Sequence, residues 1–151
     1  MADHDLTERT RALVHQLYDR FKRGDLDGVG ALFADDIEWH IEGPSDVFRF
    51  CGPRRGRQAA ISALRSLIED YEHLAHDPRF ILADGNRASI FARAEIRHRV
   101  SGRVASADLC DLMEFSEGKV IWFRELFDTL SAAEMVAGPD ARARAGGGSG
   151  R

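Results

Sequence analysis

Residues 108–128 read DLCDLMEFSEGKVIWFRELFD, two apolar runs joined by a tight turn at Ser116-Glu117-Gly118. At period two, Leu109, Asp111, Met113 and Phe115 share one face of the first run, and Ile121, Phe123, Glu125 and Phe127 share one face of the second. The segment is therefore expected to be a β-hairpin with one face buried. A buried carboxylate costs several kcal/mol unless it is hydrogen-bonded, paired or neutralised. Two of them on the lining side of one sheet point to a polar spot inside an apolar pocket. With the turn centred on Glu117, Asp111 would face Phe123 and Glu125 would face Leu109. The two carboxyls would then be diagonal neighbours, roughly 7–8 Å apart at Cβ.

Outward from this hairpin, turn signals at Asp84-Gly85-Asn86 and Ser101-Gly102 divide the second half of the chain into strands near 79–84, 87–100, 103–115 and 119–128. In the first half, Leu6, Leu13, Val14, Leu17, Tyr18 and Phe21 recur at three- and four-residue spacing and predict a helix over 6–22, with Asp5 as cap. Gly24 ends it, and Asp25 opens a shorter helix that buries Leu26, Val29, Leu32 and Phe33. Ile37, Trp39 and Ile41 alternate with polar neighbours as a short strand. Residues 43–57 carry three glycines with Pro44 and Pro53 and read as a long loop, in which Val47–Phe50 is either a small strand or a flap. A third helix is expected from Gln58 to Tyr71, and a last short one from Ser131 to Val136. This order, helices and then an antiparallel meander, is α+β. One domain over 1–136 is expected, followed by a disordered Gly/Ala/Arg tail over 137–151.

Bulk properties narrow the function. The 151 residues carry a formal charge of -4, with acidic and basic groups interspersed. Nucleic acid is not an expected partner, because phosphate binding needs a concentrated basic face. Arg54, Arg55 and Arg57 cluster, but on a glycine-rich turn. Cys51 and Cys110 form neither a disulfide framework nor a metal-ligand spacing. No apolar run is long enough to span a bilayer, and Met1-Ala2-Asp3 does not read as a signal peptide. A cytoplasmic protein without membrane contact is the expectation. His73, His76 and Asp77 lie close in sequence, but no third ligand converges on them, so no metal is expected.

The strings LYDRFKRGDLDGVGALFADDIEWH (17–40), GRQAA (56–60) and EFSEGKVIWFRELFD (114–128) resemble the SnoaL-like, ketosteroid-isomerase-like branch of the NTF2-like superfamily. The resemblance covers residues 6 to about 135. It implies an α+β cone in which three N-terminal helices pack on a strongly curved, mostly antiparallel sheet, and a homodimer formed through that sheet. Ketosteroid isomerases use an aspartate base, with a tyrosine and a protonated aspartic acid as oxyanion donors. The resemblance places these three at Ile41, Leu17 and Asp111, so one of three is kept. Tyr18, next to Leu17, should point about 100° away on the helix. A second resemblance, to limonene-epoxide hydrolase, places a catalytic carboxylate at Glu125. It also asks for an arginine and an acid two apart, for which Arg93-Ala94-Glu95 is the nearest equivalent. The more apolar set, Ala92, Ala94, Ile96 and His98, looks better suited to line a cavity.

The expected chemistry is that of a cofactor-independent acid–base enzyme, of isomerase, cyclase or epoxide-hydrolase type, acting on a small hydrophobic molecule that bears an oxygen. Asp111, Glu125 and His98 are the candidate catalytic residues. Asp111 would polarise or protonate the oxygen, Glu125 would take the proton, and His98 pairs with Asp111 by strand parity. Leu17, Tyr18, Trp39, Ile41, Met113, Phe123 and Phe127 are the candidate substrate contacts. The alternative is a noncatalytic ligand-binding or dimerisation domain. In that case the acids should be salt-bridged and the cavity filled by Trp39, Phe48 and Phe50.

Overall fold

The computed structural model describes residues 2–138; beyond 138, the tail expected over 137–151 lies outside the described residues. The elements run α1 (Ala2–Lys22), α2 (Leu26–Ala31), β1 (Phe33–Ile41), β2 (Gly52–Arg55), α3 (Arg57–Asp70), β3 (Tyr71–Asp84), β4 (Arg87–His98), β5 (Val104–Ser116), β6 (Lys119–Phe127) and α4 (Thr129–Ala137). The helix periodicity of the first segment yields α1, which starts earlier than expected, so Asp5 lies inside it. Asp25 caps α2 by accepting from the Gly28 amide, and Asp128 caps α4 through the Ser131 amide.

The strands form one six-stranded sheet in the order β2-β1-β6-β5-β4-β3. Every pairing is antiparallel except β1 with β6, which is parallel. Two features correct the expected architecture. Only α1 and α2 precede the sheet, because α3 enters after β2. The sheet is an open, mixed layer flanked by helices, with β2 and β3 as unpaired edges, not a strongly curved cone. Residues 47–50 form no strand; instead Phe48 and Phe50 turn inward and are buried. β3 begins at Tyr71, eight residues before its expected start. Pro78, which suggested a loop, is accommodated because β3 is an edge strand and is bulged there, between Pro78 and Phe80.

The core lies between the helices and the inner sheet face. Val14 and Leu17 of α1 and Ile61 and Leu64 of α3 join Ile37, Ile41, Ile90, Met113, Phe115 and Val120 in one buried cluster. Full burial of each such side chain contributes about 1.5–3 kcal/mol. On β5 the burial alternates with period two, as read from the sequence, and includes Asp111, which is 4% exposed.

The ladder between β5 and β6 decides what Asp111 faces. The turn residues Glu117 and Gly118 both have positive φ, 50° and 74°, so the hairpin closes with Ser116 opposite Lys119. Phe115 then pairs with Val120, but Glu114 pairs with Trp122, leaving Ile121 as the extra residue of a bulge. The inner set of β6 is therefore Val120, Phe123, Glu125 and Phe127. Glu125 sits directly opposite Asp111, not diagonal to it.

Candidate functional site

Asp111, at the middle of β5, is held from two directions. From β6, Glu125 is its cross-strand partner. From α1, the Tyr18 hydroxyl donates a short hydrogen bond to Asp111 Oδ2. Leu17 and Tyr18 are equally buried, so the helix presents both to the sheet, and the hydroxyl comes from Tyr18 where the resemblance pointed to Leu17. Asp111 Oδ1 is buried and finds no conventional donor among the described residues. Glu125 can donate to Asp111 only while its own carboxyl carries a proton.

The electrostatics follow from this dry setting. Burial raises the Asp111 pKa to about 6, with the hydrogen bonds from Tyr18 and Glu125 pulling the other way. Glu125 is pushed well above the usual carboxylate range, first by burial and then by the Asp111 charge beside it. The Tyr18 hydroxyl is also raised well above its ordinary value, by burial and then by Asp111, and so stays a neutral donor. Two carboxyls in contact titrate as a pair. The Asp111 charge pushes Glu125 up while the Glu125 hydrogen bond pulls Asp111 down, so a proton on the pair is held preferentially by Glu125. Among the described residues, no arginine neutralises the pair. The nearest candidate by sequence, Arg124, turns to the other face, where Nη1 lies 3.4 Å from Glu42 and Nη2 lies 3.3 Å from His40 Nδ1.

A cavity of about 60 Å³ opens on this pair. Its walls include Tyr18, Trp39, Met113 and Phe123, with Leu17 completing the α1 side. Trp39 and Phe123 stack at 3.8 Å between ring centroids and 11° between planes, forming a flat apolar side. The space suits a few heavy atoms, since about 10–15 Å³ of it holds one water. Among the described residues, no group of three or more His, Cys, Asp or Glu is arranged to hold a metal ion.

Three expected residues lie elsewhere. His98 pairs with Tyr71 near the end of β4, and its Nδ1 is 2.9 Å from Ser101 Oγ. The β4 partner of Asp111 is Ile90, roughly 25 Å back along the strand at about 3.3 Å per residue, so His98 and Asp111 are not brought together. Phe127 lines a separate apolar cavity of about 40 Å³ with Phe48, Phe50 and Tyr71, which Glu125 touches from its other side. Ile41 is fully buried and stands beside Glu125 in the β1–β6 ladder. Arg93 and Glu95 are exposed, and Arg93 pairs with Asp108 at 2.9 Å.

One polar residue of the cavity was not among the site candidates of the sequence reading. His76 lines it, with its ring edge-on to Tyr18 at 5.2 Å and both ring nitrogens buried without hydrogen-bond partners among the described residues. A bulge at Leu74 is what turns it inward: His73 pairs with Ile96 and His76 with Ala94, so both histidines face the helices despite their spacing of three. No period-two count through 71–78 would place both there.

The SnoaL-like domain family matches residues 14–123, most of the chain, and the protein belongs to that family. No functionally curated protein matches it. Among solved structures, an NTF2-like protein from Burkholderia xenovorans superposes with a TM-score of 0.77 at 28% identity, covering 86% of this chain and 97% of the other. An LEH-like epoxide hydrolase from M. tuberculosis superposes with a TM-score of 0.69 at 18% identity, over 92% and 98% of the two chains. A protein with a ketosteroid isomerase-like fold from Catenulispora acidiphila, in complex with trimethylamine, gives 0.72 at 12% identity, over 86% and 95%. The last two likenesses concern the fold alone. Among the described residues, no helix is long and apolar enough to cross a membrane.

Proposed function

We propose that the protein is a cofactor-independent acid–base enzyme that moves a proton at carbon next to a carbonyl in a small, largely apolar substrate. The observation that carries this reading is the contact of buried Asp111 with half-buried Glu125, unneutralised by any arginine among the described residues, at the wall of a cavity and bonded to Tyr18. Asp111 acts as the base. With substrate bound, protonated Glu125 and the neutral Tyr18 hydroxyl turn their hydrogen bonds from Asp111 to the oxygen on which charge develops, which frees Asp111 to take the proton. This exchanges the roles that the sequence suggested for the two acids, because Glu125 has the higher proton affinity of the pair. The carboxyl missing from Ile41, the position implied for the isomerase base, has a counterpart one strand over at Glu125.

The epoxide-hydrolase reading is weaker, since Arg93 and Glu95 are on the outer face. The purely structural alternative expected Trp39, Phe48 and Phe50 to fill the interior, and all three are buried; it also expected the acids to be salt-bridged, and among the described residues they are not. A homodimer joined through the outer sheet face and a cytoplasmic location complete the proposal.

The test is deuterium exchange at the α-carbon of a panel of small ketones in heavy water, followed by proton NMR. The expected result is exchange above background with the wild-type protein. That exchange should fall about 100-fold or more in Asp111→Asn and fall clearly in Tyr18→Phe and Glu125→Gln. Wild-type rates no higher than those of Asp111→Asn across the panel would remove the catalytic reading in favour of a binding domain.

A further inference from the structure

The 60 Å³ cavity is too small for the whole of any substrate beyond a few heavy atoms, yet it does not end at a blank wall. Phe21 and His76 line it from inside and also line a basin of about 500 Å³ that opens to solvent. Their rings meet edge to face at 6.2 Å in the wall that the two spaces share, the neck through which a molecule would pass between them. His73 continues the same wall, its ring edge-on to Phe21 at 5.4 Å and 6.3 Å from His76 in a near-parallel stack.

The basin has its own chemistry. Lys22 and Arg99 stand in its lining, both exposed. Neither has an acidic side-chain partner among the described residues, and there the one side-chain hydrogen bond of Arg99 goes from Nε to the Ile68 carbonyl at 3.1 Å. The acid in the lining, Glu72, is already engaged by Arg97 at 2.8 Å. His73 and His76 add no charge: burial keeps both neutral near pH 7, with Arg99 depressing His73 further, and with His73 and Lys22 depressing His76 to about 4. Asp77, next to His76, acts in the opposite sense on it and faces Arg79 at 3.7 Å. The result is a basin with two cations that have no acidic partner among the described residues, next to an apolar inner chamber that holds the Asp111–Glu125 pair.

We infer that the substrate spans both spaces and is a small keto acid: its carbonyl end enters the inner cavity, and its carboxylate rests in the outer basin against Lys22 and Arg99. The two unpartnered nitrogens of His76 at the neck can meet a polar atom between the two ends of such a molecule. This inference rests on the function proposed above and adds the substrate class to it.

The probes are straight-chain keto acids, beginning with levulinate, and their methyl esters, titrated into the full chain while amide and histidine resonances are followed by NMR. The acids are expected to bind about tenfold more tightly than the esters, the scale of two exposed ion pairs. That preference is expected to disappear in the Lys22→Gln/Arg99→Gln variant and to return in Arg99→Lys with Lys22 intact. Both substituted side chains are exposed, so the variant should fold. Equal affinity for acids and esters, no saturable binding of any acid at millimolar concentration, or a preference unchanged in the double variant would each overturn the inference. Exchange of the α-protons in heavy water is read separately. Selective binding without exchange leaves the substrate class standing and removes the enzyme, whereas exchange without selectivity does the reverse.

Discussion

Asp111 is the residue at which function and stability pull in opposite directions. Its pKa is raised from 3.8 to about 6 in the fold, so between those values the folded state binds more protons than the unfolded one. Its contribution is full below the unfolded value and is lost as pH rises through about 6, a loss of about 3 kcal/mol at most for a shift of roughly two units. His76 has the opposite sign. Its pKa falls from 6.5 to about 4, so the unfolded state binds more protons in that window, and its contribution grows as pH rises. The two effects oppose each other between about pH 4 and 6.5. Glu125, raised chiefly by burial, acts in the same sense as Asp111, and His73, lowered chiefly by burial, acts in the same sense as His76. The prediction is that Asp111→Asn loses less stability than the wild type as pH rises through about 6 and exceeds it at pH 8, because both the Asp111 contribution and its Coulombic push on Glu125 are removed. Urea unfolding at a series of pH values measures this. A variant less stable than wild type at pH 8 would show that Asp111 is a structural acid whose ionised form the fold supports.

At the scale of elements, the β5–β6 hairpin shows how far the chain could be read and where reading stopped. Alternation on β5 was legible because four inward side chains are apolar or acidic with no irregularity between them. The partner of Asp111 was not, because a bulge carries no signature in side-chain type. Without Ile121 as an extra residue, the two-residue turn would set Arg124 opposite Asp111 and neutralise the site. The inward histidines of β3 were hidden in the same way by the extra Leu74, and Pro78 disguised the strand itself. Tyr18 was read as a substrate contact but not as the hydroxyl donor, since the resemblance chose Leu17 one residue earlier, whereas the buried face of α1 is wide enough to include both. The turn also makes a prediction. Glu117 adopts φ 50° ahead of Gly118 at 74°, a conformation suited to Asn-Gly and unfavourable for a long side chain. Glu117→Asn should raise stability by about 0.5–1 kcal/mol in denaturant unfolding without altering the carboxyl pair. No gain would mean that the strand register, not the turn, holds the hairpin closed.

At the scale of the whole molecule, the sheet divides two tasks between its faces. The inner face carries the helices and the carboxyl pair. The outer face carries Phe80, Leu82, Phe91, Leu112, Trp122 and Leu126, with Phe80 stacked on Phe91 at 5.5 Å. Leu82 is 61% exposed and Phe80 51%, which is more apolar surface than isolated exposed residues explain. The ion pairs Arg93–Asp108 and Arg87–Glu114 stand on the same face and would give such a contact polar features. A second copy of the chain is the proposed cover, so the protein is expected to sediment as a dimer at micromolar concentration. Leu82→Glu with Leu126→Glu should reduce it to a monomer, since both side chains would bring unpaired charge into the buried contact. Because these positions point away from Asp111, exchange activity should survive in the monomer. Wild-type protein sedimenting as a monomer would remove the dimer, and loss of activity on dissociation would mean that the outer face supports the inner one across a single layer of strands.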